Sequence, residues 1–494
     1  SIYDTNMKTL ATSKTVWDVV FEPANLSSKE EKREAELKVL CDPATGLPSL
    51  IDVTEETIRK KAENVNSYWE VLQYKVDKET ADAIELFIQT NGINCITLNQ
   101  GSKRVYPFDD LAASVLGFVN AYDNRGAYGL ESYYNKILTG SEGRIVSAKN
   151  GQNGEMPFQY EKLYESQDGN SLVLTIDEVI QHFVEKHLEI AVVEHDVKKR
   201  ATGIVMDVDT GEILAMASKP DFDPNDPLDY SANLDYLNEL VRAEPELYGI
   251  YKKDENGNEL KDANGNRILD EEGDYSGYFR DIQWKNKTIT ELYYPGSVFK
   301  VITSAMGVDS GLANINTTFT CAGAYGVAKE TYHCAGHKAH GTITLAEALR
   351  QSCNIYYIQL GQRVGSQTFY NYFDAFGFTS RTGVDLPSET GFMQYYKANQ
   401  LGEVQLASSA FGQAMAITPL QMCTAVAAAV NGGYLVTPHV VDKITDTNGN
   451  VVEEIGTNIR RQVISESTSD VIRQMMEYEV GNGTGGGKNA YVSG

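Results

Sequence analysis

At 494 residues the chain is longer than one typical domain and long enough to bury more than one core. Hydrophobic content of 42% and charged content of 22% are ordinary for globular proteins. A net charge of −25 argues against nucleic acid and anionic membrane surfaces as direct partners.

No apolar run approaches the roughly 20 residues that a membrane helix needs, and no secretory leader opens the sequence. Residues 1–165 mix short strand-like runs with charged helices. Ser27 to Lys38 is a dense Lys/Glu stretch that predicts a solvated helix with i,i+4 pairs. Thr54 before Glu55-Glu56 predicts a capped helix start. From Ser171 the pattern changes. Leu172 to Ile176 reads as a strand, and Glu178 to Val197 reads as an amphipathic helix with apolar residues at helical spacing. Ala201–Asp207 and Ile213–Ser218 are two strands joined by a tight turn at Val208 to Gly211. An acidic, turn-rich stretch over about 229–285 follows, with Asn256-Gly257, Asn264-Gly265 and Glu272-Gly273. Its near-repeat of Asp254 to Asn258 and Asp262 to Asn266 lacks the full calcium-loop spacing, so a surface hairpin with Asn-Gly turns is expected.

Pro295-Gly296 ends that excursion and opens Ser297-Val298-Phe299-Lys300. Serine and lysine three residues apart share a helix face, so the amine can act as general base for the hydroxyl. Placement at a helix N-terminus also favours developing negative charge. Alone the pattern is weak, since S-x-x-K occurs by chance about once or twice in a chain this long. Ser352-Cys353-Asn354 follows between two apolar-periodic stretches, where a hydroxyl and an amide two residues apart can point into one cleft. By itself that is a cap or turn. The pair together is the more specific signal.

Between the two motifs lie Cys321, His333, Cys334, His337 and His340. Three of the chain's seven histidines fall here, beside a thiol. Nitrogen and sulfur donors at short spacing suit tetrahedral zinc, with Cys321, Cys334, His337 and His340 as the expected ligands and His333 as the alternative. A Cys321–Cys334 disulfide bracing the same hairpin is a competing reading, and histidines without a role are a third. A bound ion would brace the rim of the site and take no part in the chemistry. Cys353 reads as a buried small hydrophobe.

S-x-x-K and S-x-N in this order resemble the signature set of penicillin-binding proteins and β-lactamases. The resemblance extends along the chain. Ser1 to Asn6, Tyr106 to Ala112, Gly129 to Tyr134, Leu174 to Gln181, Thr210 to Ala217 and Gly412 to Gln421 are each similar to class B penicillin-binding proteins, in that family's order. The group of sporulation and cell-division transpeptidases is the nearest in character. The resemblance implies an α+β architecture: a mixed N-terminal pedestal over residues 1–165, then a serine transpeptidase domain over 166–494 with a central antiparallel sheet covered by helices.

It also implies Ser297 as nucleophile, Lys300 as base, Ser352 as proton relay and Asn354 as the residue holding substrate and lysine. The implied reaction is D,D-transpeptidation of peptidoglycan stem peptides ending in D-Ala-D-Ala through an acyl-serine, with β-lactams as mimics and no cofactor required for the chemistry. A glycosyltransferase and other wall-synthesis proteins are the implied partners. The implied location is the extracytoplasmic face of the membrane, held by an N-terminal anchor upstream of Ser1. Two rival readings use the same residues: a β-lactam sensor or β-lactamase, and a non-catalytic wall-assembly scaffold. One element of the family pattern is missing. No K-T-G occurs, and Asn482 to Gly494 resembles the stretch that precedes it, so the strand forming one wall of the site is expected beyond this sequence.

Overall fold

The computed structural model describes residues 1–140, 144–146, 162–164, 168–270, 273–481 and 487–492. They form two compact units. The first comprises Ser1, Leu10–Pro107 and Val119–Arg125, and the second Ile2–Thr9, Phe108–Phe118 and Gly126–Gly494.

The first unit is built on strand Thr9–Phe21, which pairs antiparallel with Glu70–Val76 along one edge and with Ile96–Val105 along the other. Helices Glu30–Cys41, Glu55–Ala62 and Lys78–Asn91 supply Leu37, Leu40, Ile58, Ile84 and Phe87 to a core shared with Val19 and Phe21. The helix expected at Ser27–Lys38 begins at Glu30, and its Glu34 pairs with Arg59 of the next helix. Thr54 caps its helix as expected, accepting from the Thr57 N–H at 3.2 Å.

In the second unit, strand Ser171–Leu174 runs parallel to Ile2–Tyr3 and antiparallel to Val441–Thr445, which pairs on with Val451–Glu454. The expected hairpin forms from Ala201–Met206 and Ile213–Lys219. Its turn is set by the Asp207 carboxylate accepting from the Asp209 and Thr210 N–H groups, with Gly211 at φ 82°.

The helix expected at Glu178 to Val197 forms over Glu178–Glu194, with Ile180, Val184 and Leu188 half-buried at helical spacing. Its buried positions are Gln181 and Glu185, while Val179, Phe183, Ile190 and Val193 are exposed. Hydrogen bonds account for the buried polar pair. Gln181 pairs with both backbone groups of Met216, at 3.0 and 2.8 Å, and also donates to Glu185, which accepts from the Ala112 N–H at 2.8 Å. Such partners allow polar side chains to be buried, although burial still pushes the Glu185 carboxyl up to about 7.

The excursion before Ser297 has a core of its own, in which Leu237, Leu240 and Val241 pack with Phe279 and Ile282 from helices Leu234–Ala243 and Ser276–Trp284. The Asp254 and Asp262 carboxylates are taken up by N–H groups of their own loops, with Gly257 and Gly265 at positive φ, so both segments are Asn-Gly turns.

The largest core surrounds helix Lys300–Asp309, whose Ile302, Ala305 and Met306 are fully buried among Leu345, Ile355, Leu360, Phe378 and Met475. The position of the serine and lysine follows from that burial.

Candidate active site

The turn that carries Ser297 is held by two glycines. Gly296 sits at φ 58° and donates its N–H to the Gly412 carbonyl at 2.9 Å. A Cβ at Gly412 would lie 2.1 Å from the Gly296 carbonyl oxygen, so only glycine admits this approach. Residues Gly296–Phe299 form one 3₁₀ turn that runs into helix Lys300–Asp309. Side chains three apart eclipse in such a turn. Ser297 is exposed at its start and Lys300 is 1% exposed at its end.

Helix Leu345–Arg350 ends just before Ser352, which adopts φ 50°. Cys353 then caps helix Asn354–Val364, its sulfur accepting from the Tyr356 N–H at 3.4 Å. The chain reversal brings Ser352 and Asn354 onto Lys300. Lys300 Nζ lies 3.0 Å from Ser297 Oγ, 2.8 Å from the Ser352 carbonyl oxygen, 2.9 Å from Ser352 Oγ and 2.8 Å from Asn354 Oδ1.

Two of these four partners can only accept. One is the Ser352 carbonyl. The other is Asn354 Oδ1, whose orientation is fixed because Asn354 Nδ2 donates to the His333 carbonyl at 3.1 Å. Together they take both hydrogens of a neutral amine, leaving its lone pair toward the serine hydroxyls. Burial pulls the Lys300 ammonium down from its ordinary range to about 8, opposed by the thiols of Cys353 and Cys334 and by the Glu479 carboxylate. Glu479 belongs to helix Glu466–Val480, and no signal in the sequence pointed to it.

The metal-ligand expectation needs correction at one position. Cys321, Cys334 and His340 come together, but the fourth donor is Cys353, and the four donor atoms lie within 4.8 Å of one another. His337 is exposed on a left-handed turn with Gly336, and its Nδ1 is 3.0 Å from His333 Nδ1. The thiols of Cys321 and Cys334 are free, with sulfurs 3.6 Å apart. Cys334 and Cys353 sulfurs are 3.7 Å apart, and His340 Nδ1 is 3.4 Å from Cys321 Sγ. Zinc–sulfur bonds of 2.3 Å in a tetrahedron set sulfur–sulfur edges of about 3.8 Å. The donor set and its spacing therefore fit zinc. Part of the stretch from Asn482 to Gly494, over 482–486 and 493–494, lies outside the described residues.

The penicillin binding protein transpeptidase domain matches residues 201–494, and the penicillin-binding protein dimerisation domain matches residues 1–174. The chain belongs to the penicillin-binding protein transpeptidase family. Stage V sporulation protein D of Bacillus subtilis is 29% identical to this penicillin-binding protein over 501 residues, covering 100% of this chain and 66% of that protein. Peptidoglycan D,D-transpeptidase FtsI of Buchnera aphidicola is 26% identical over 334 residues, covering 66% of this chain and 48% of that one. The crystal structure of penicillin binding protein 2X from Streptococcus thermophilus shares the fold, with a TM-score of 0.71 at 20% identity over 98% of this chain and 65% of that chain. The chain thus spans about two thirds of the length of the first of these relatives and less of the second. Among the described residues, no helix is long and apolar enough to cross a membrane.

Proposed function

We propose that this penicillin-binding protein is a serine D,D-transpeptidase that cross-links peptidoglycan stem peptides and is acylated by β-lactams. The observation that carries the reading is the set of contacts at Lys300 Nζ, which commits two N–H groups to obligate acceptors and keeps the lone pair for a serine proton. In the proposed reaction Ser297 Oγ attacks the carbonyl between two terminal D-alanines while its proton passes to Lys300. The tetrahedral intermediate collapses, the peptide C–N bond breaks, and the leaving D-alanine nitrogen takes a proton from Lys300 through Ser352. An amine of a neighbouring stem peptide then attacks the acyl-serine, completing the cross-link and freeing Ser297. Asn354 holds Lys300 and hydrogen-bonds the substrate amide, and the Ser297 N–H serves as one oxyanion donor.

The place of work is the extracytoplasmic face of the membrane, beside a glycosyltransferase of wall synthesis. The reading draws support from the D,D-transpeptidase name of a relative and from the matched domain. Stoichiometric labelling of the full-length protein by a fluorescent penicillin, lost in Ser297→Ala, is expected. An unlabelled wild type would sink the reading and leave the scaffold alternative, whereas rapid turnover of a chromogenic β-lactam would favour the lactamase alternative.

A structural zinc ion bound by Cys321, Cys334, Cys353 and His340 is part of the same proposal. The bonding distances expected of zinc support it. The ion would brace the S-C-N turn through Cys353, and the serine chemistry needs nothing from it.

A further inference from the structure

Beneath Lys300 lies a buried aromatic ring that the reaction above leaves unused. Tyr357 is one turn along the helix that starts at Asn354 and is 0% exposed. Lys300 Nζ stands over its ring, 5.7 Å from the centroid. The hydroxyl end is fixed by a chain of two hydrogen bonds. Ser304 Oγ donates to the Lys300 carbonyl at 2.8 Å, which commits its hydrogen. The Tyr357 hydroxyl, 2.7 Å from Ser304 Oγ, must therefore be the donor to it. Burial keeps that phenol protonated. The ring is thus tied at its far end to the backbone of the residue whose side chain lies over its face.

The face of an aromatic ring attracts a cation within about 6 Å and has far less attraction for a neutral amine. In the acylation step the Ser297 Oγ–H bond breaks, an N–H bond forms at Lys300, Oγ bonds to the substrate carbonyl carbon, and a positive charge appears on Nζ. That charge forms over the Tyr357 ring. We propose that Tyr357 is a positioning residue for acylation. Its buried ring, fixed under Lys300 Nζ, stabilises the ammonium as the proton arrives. Glu479, Cys334 and Cys353 also act on that ammonium, and the ring adds a fixed electrostatic face directly beneath it. The proposal rests on the reading of Ser297 and Lys300 as nucleophile and base.

The test separates binding from chemistry in the acylation of full-length protein by a penicillin. The dissociation constant and the acylation rate constant are measured for wild type, Tyr357→Phe, and a series carrying phenylalanine with one, two or three ring fluorines at position 357. Fluorines drain the ring face with little change in shape. Tyr357→Phe keeps the ring and is expected within about threefold of wild type. The trifluoro variant is expected to acylate roughly tenfold more slowly, with unchanged dissociation constant and melting temperature. Equal rate constants across the fluorine series, with wild type acylated normally, would overturn this inference alone. A wild type that is not acylated would overturn the serine reading and this one with it.

Discussion

Two clusters stand side by side around the S-C-N turn, and they are complete in different senses. At Lys300 the protein supplies every partner: the four oxygens around Nζ match the hydrogens and lone pair of the amine, and nothing else is needed to hold it. At the cysteine cluster the protein supplies donors only. Three sulfurs and an imidazole nitrogen converge at spacings wider than covalent bonds and suited to an ion between them. Ser352 and Asn354 belong to the first cluster and Cys353 to the second, so three consecutive residues divide their side chains between two sites. A general base is built by choosing acceptors around it. A donor cluster is built by bringing several ligating atoms within reach of one point.

The largest break in this comparison is expected from Lys300→Ala. Removing a positioned base should slow penicillin acylation by about 10²–10⁴-fold while zinc content stays at wild-type level, as read by rapid quench and elemental analysis. Gly412→Ala should strike the lysine cluster from outside. Its new Cβ meets the Gly296 carbonyl, so the nucleophile turn must shift, and a melting-temperature loss should accompany near-complete loss of labelling.

Next comes the metal side. Cys353→Ser should lose the ion and lower the melting temperature, whereas His337→Ala should keep both, because His337 faces His333 and not the sulfurs. Metal lost in His337→Ala and kept in Cys353→Ser would restore the ligand set expected from spacing alone.

A subtler effect concerns pH. The base form of Lys300 is the neutral amine, so acylation should rise with pH to a midpoint near 8, the value to which burial lowers it. The stability consequence has the same sign. Between about 8 and the ordinary lysine value of 10.5 the unfolded chain binds more protons than the folded one, so folding stability contributed by this site increases with pH. A rate profile with its midpoint near 10 would mean that the desolvated lysine is not the base.

Much of the lysine site was legible because its parts are local. S-x-x-K fixes a one-turn separation, and S-x-N places two polar groups on one bend, so spacing carries the geometry. The cysteine site was half legible. His337 and His340 look equivalent on spacing, and only the left-handed Gly336–His337 turn separates them. Cys353 was hidden because a small buried thiol in an apolar stretch has the pattern of packing, and its partner Cys334 lies 19 residues away. In helix Glu178–Glu194 periodicity locates the apolar stripe but cannot tell that Gln181 has a backbone partner in strand Ile213–Lys219 and Glu185 one at Ala112. Glu479 reaches Lys300 only through tertiary packing.

Ser352 carries its hydroxyl on a backbone at φ 50°, a region that costs any residue with a Cβ and costs glycine nothing. Ser352→Gly should therefore melt higher than wild type, by a few tenths to about 1 kcal/mol of unfolding free energy at most, while losing the relay hydroxyl and with it turnover. Durability and activity pull in opposite directions at one torsion angle.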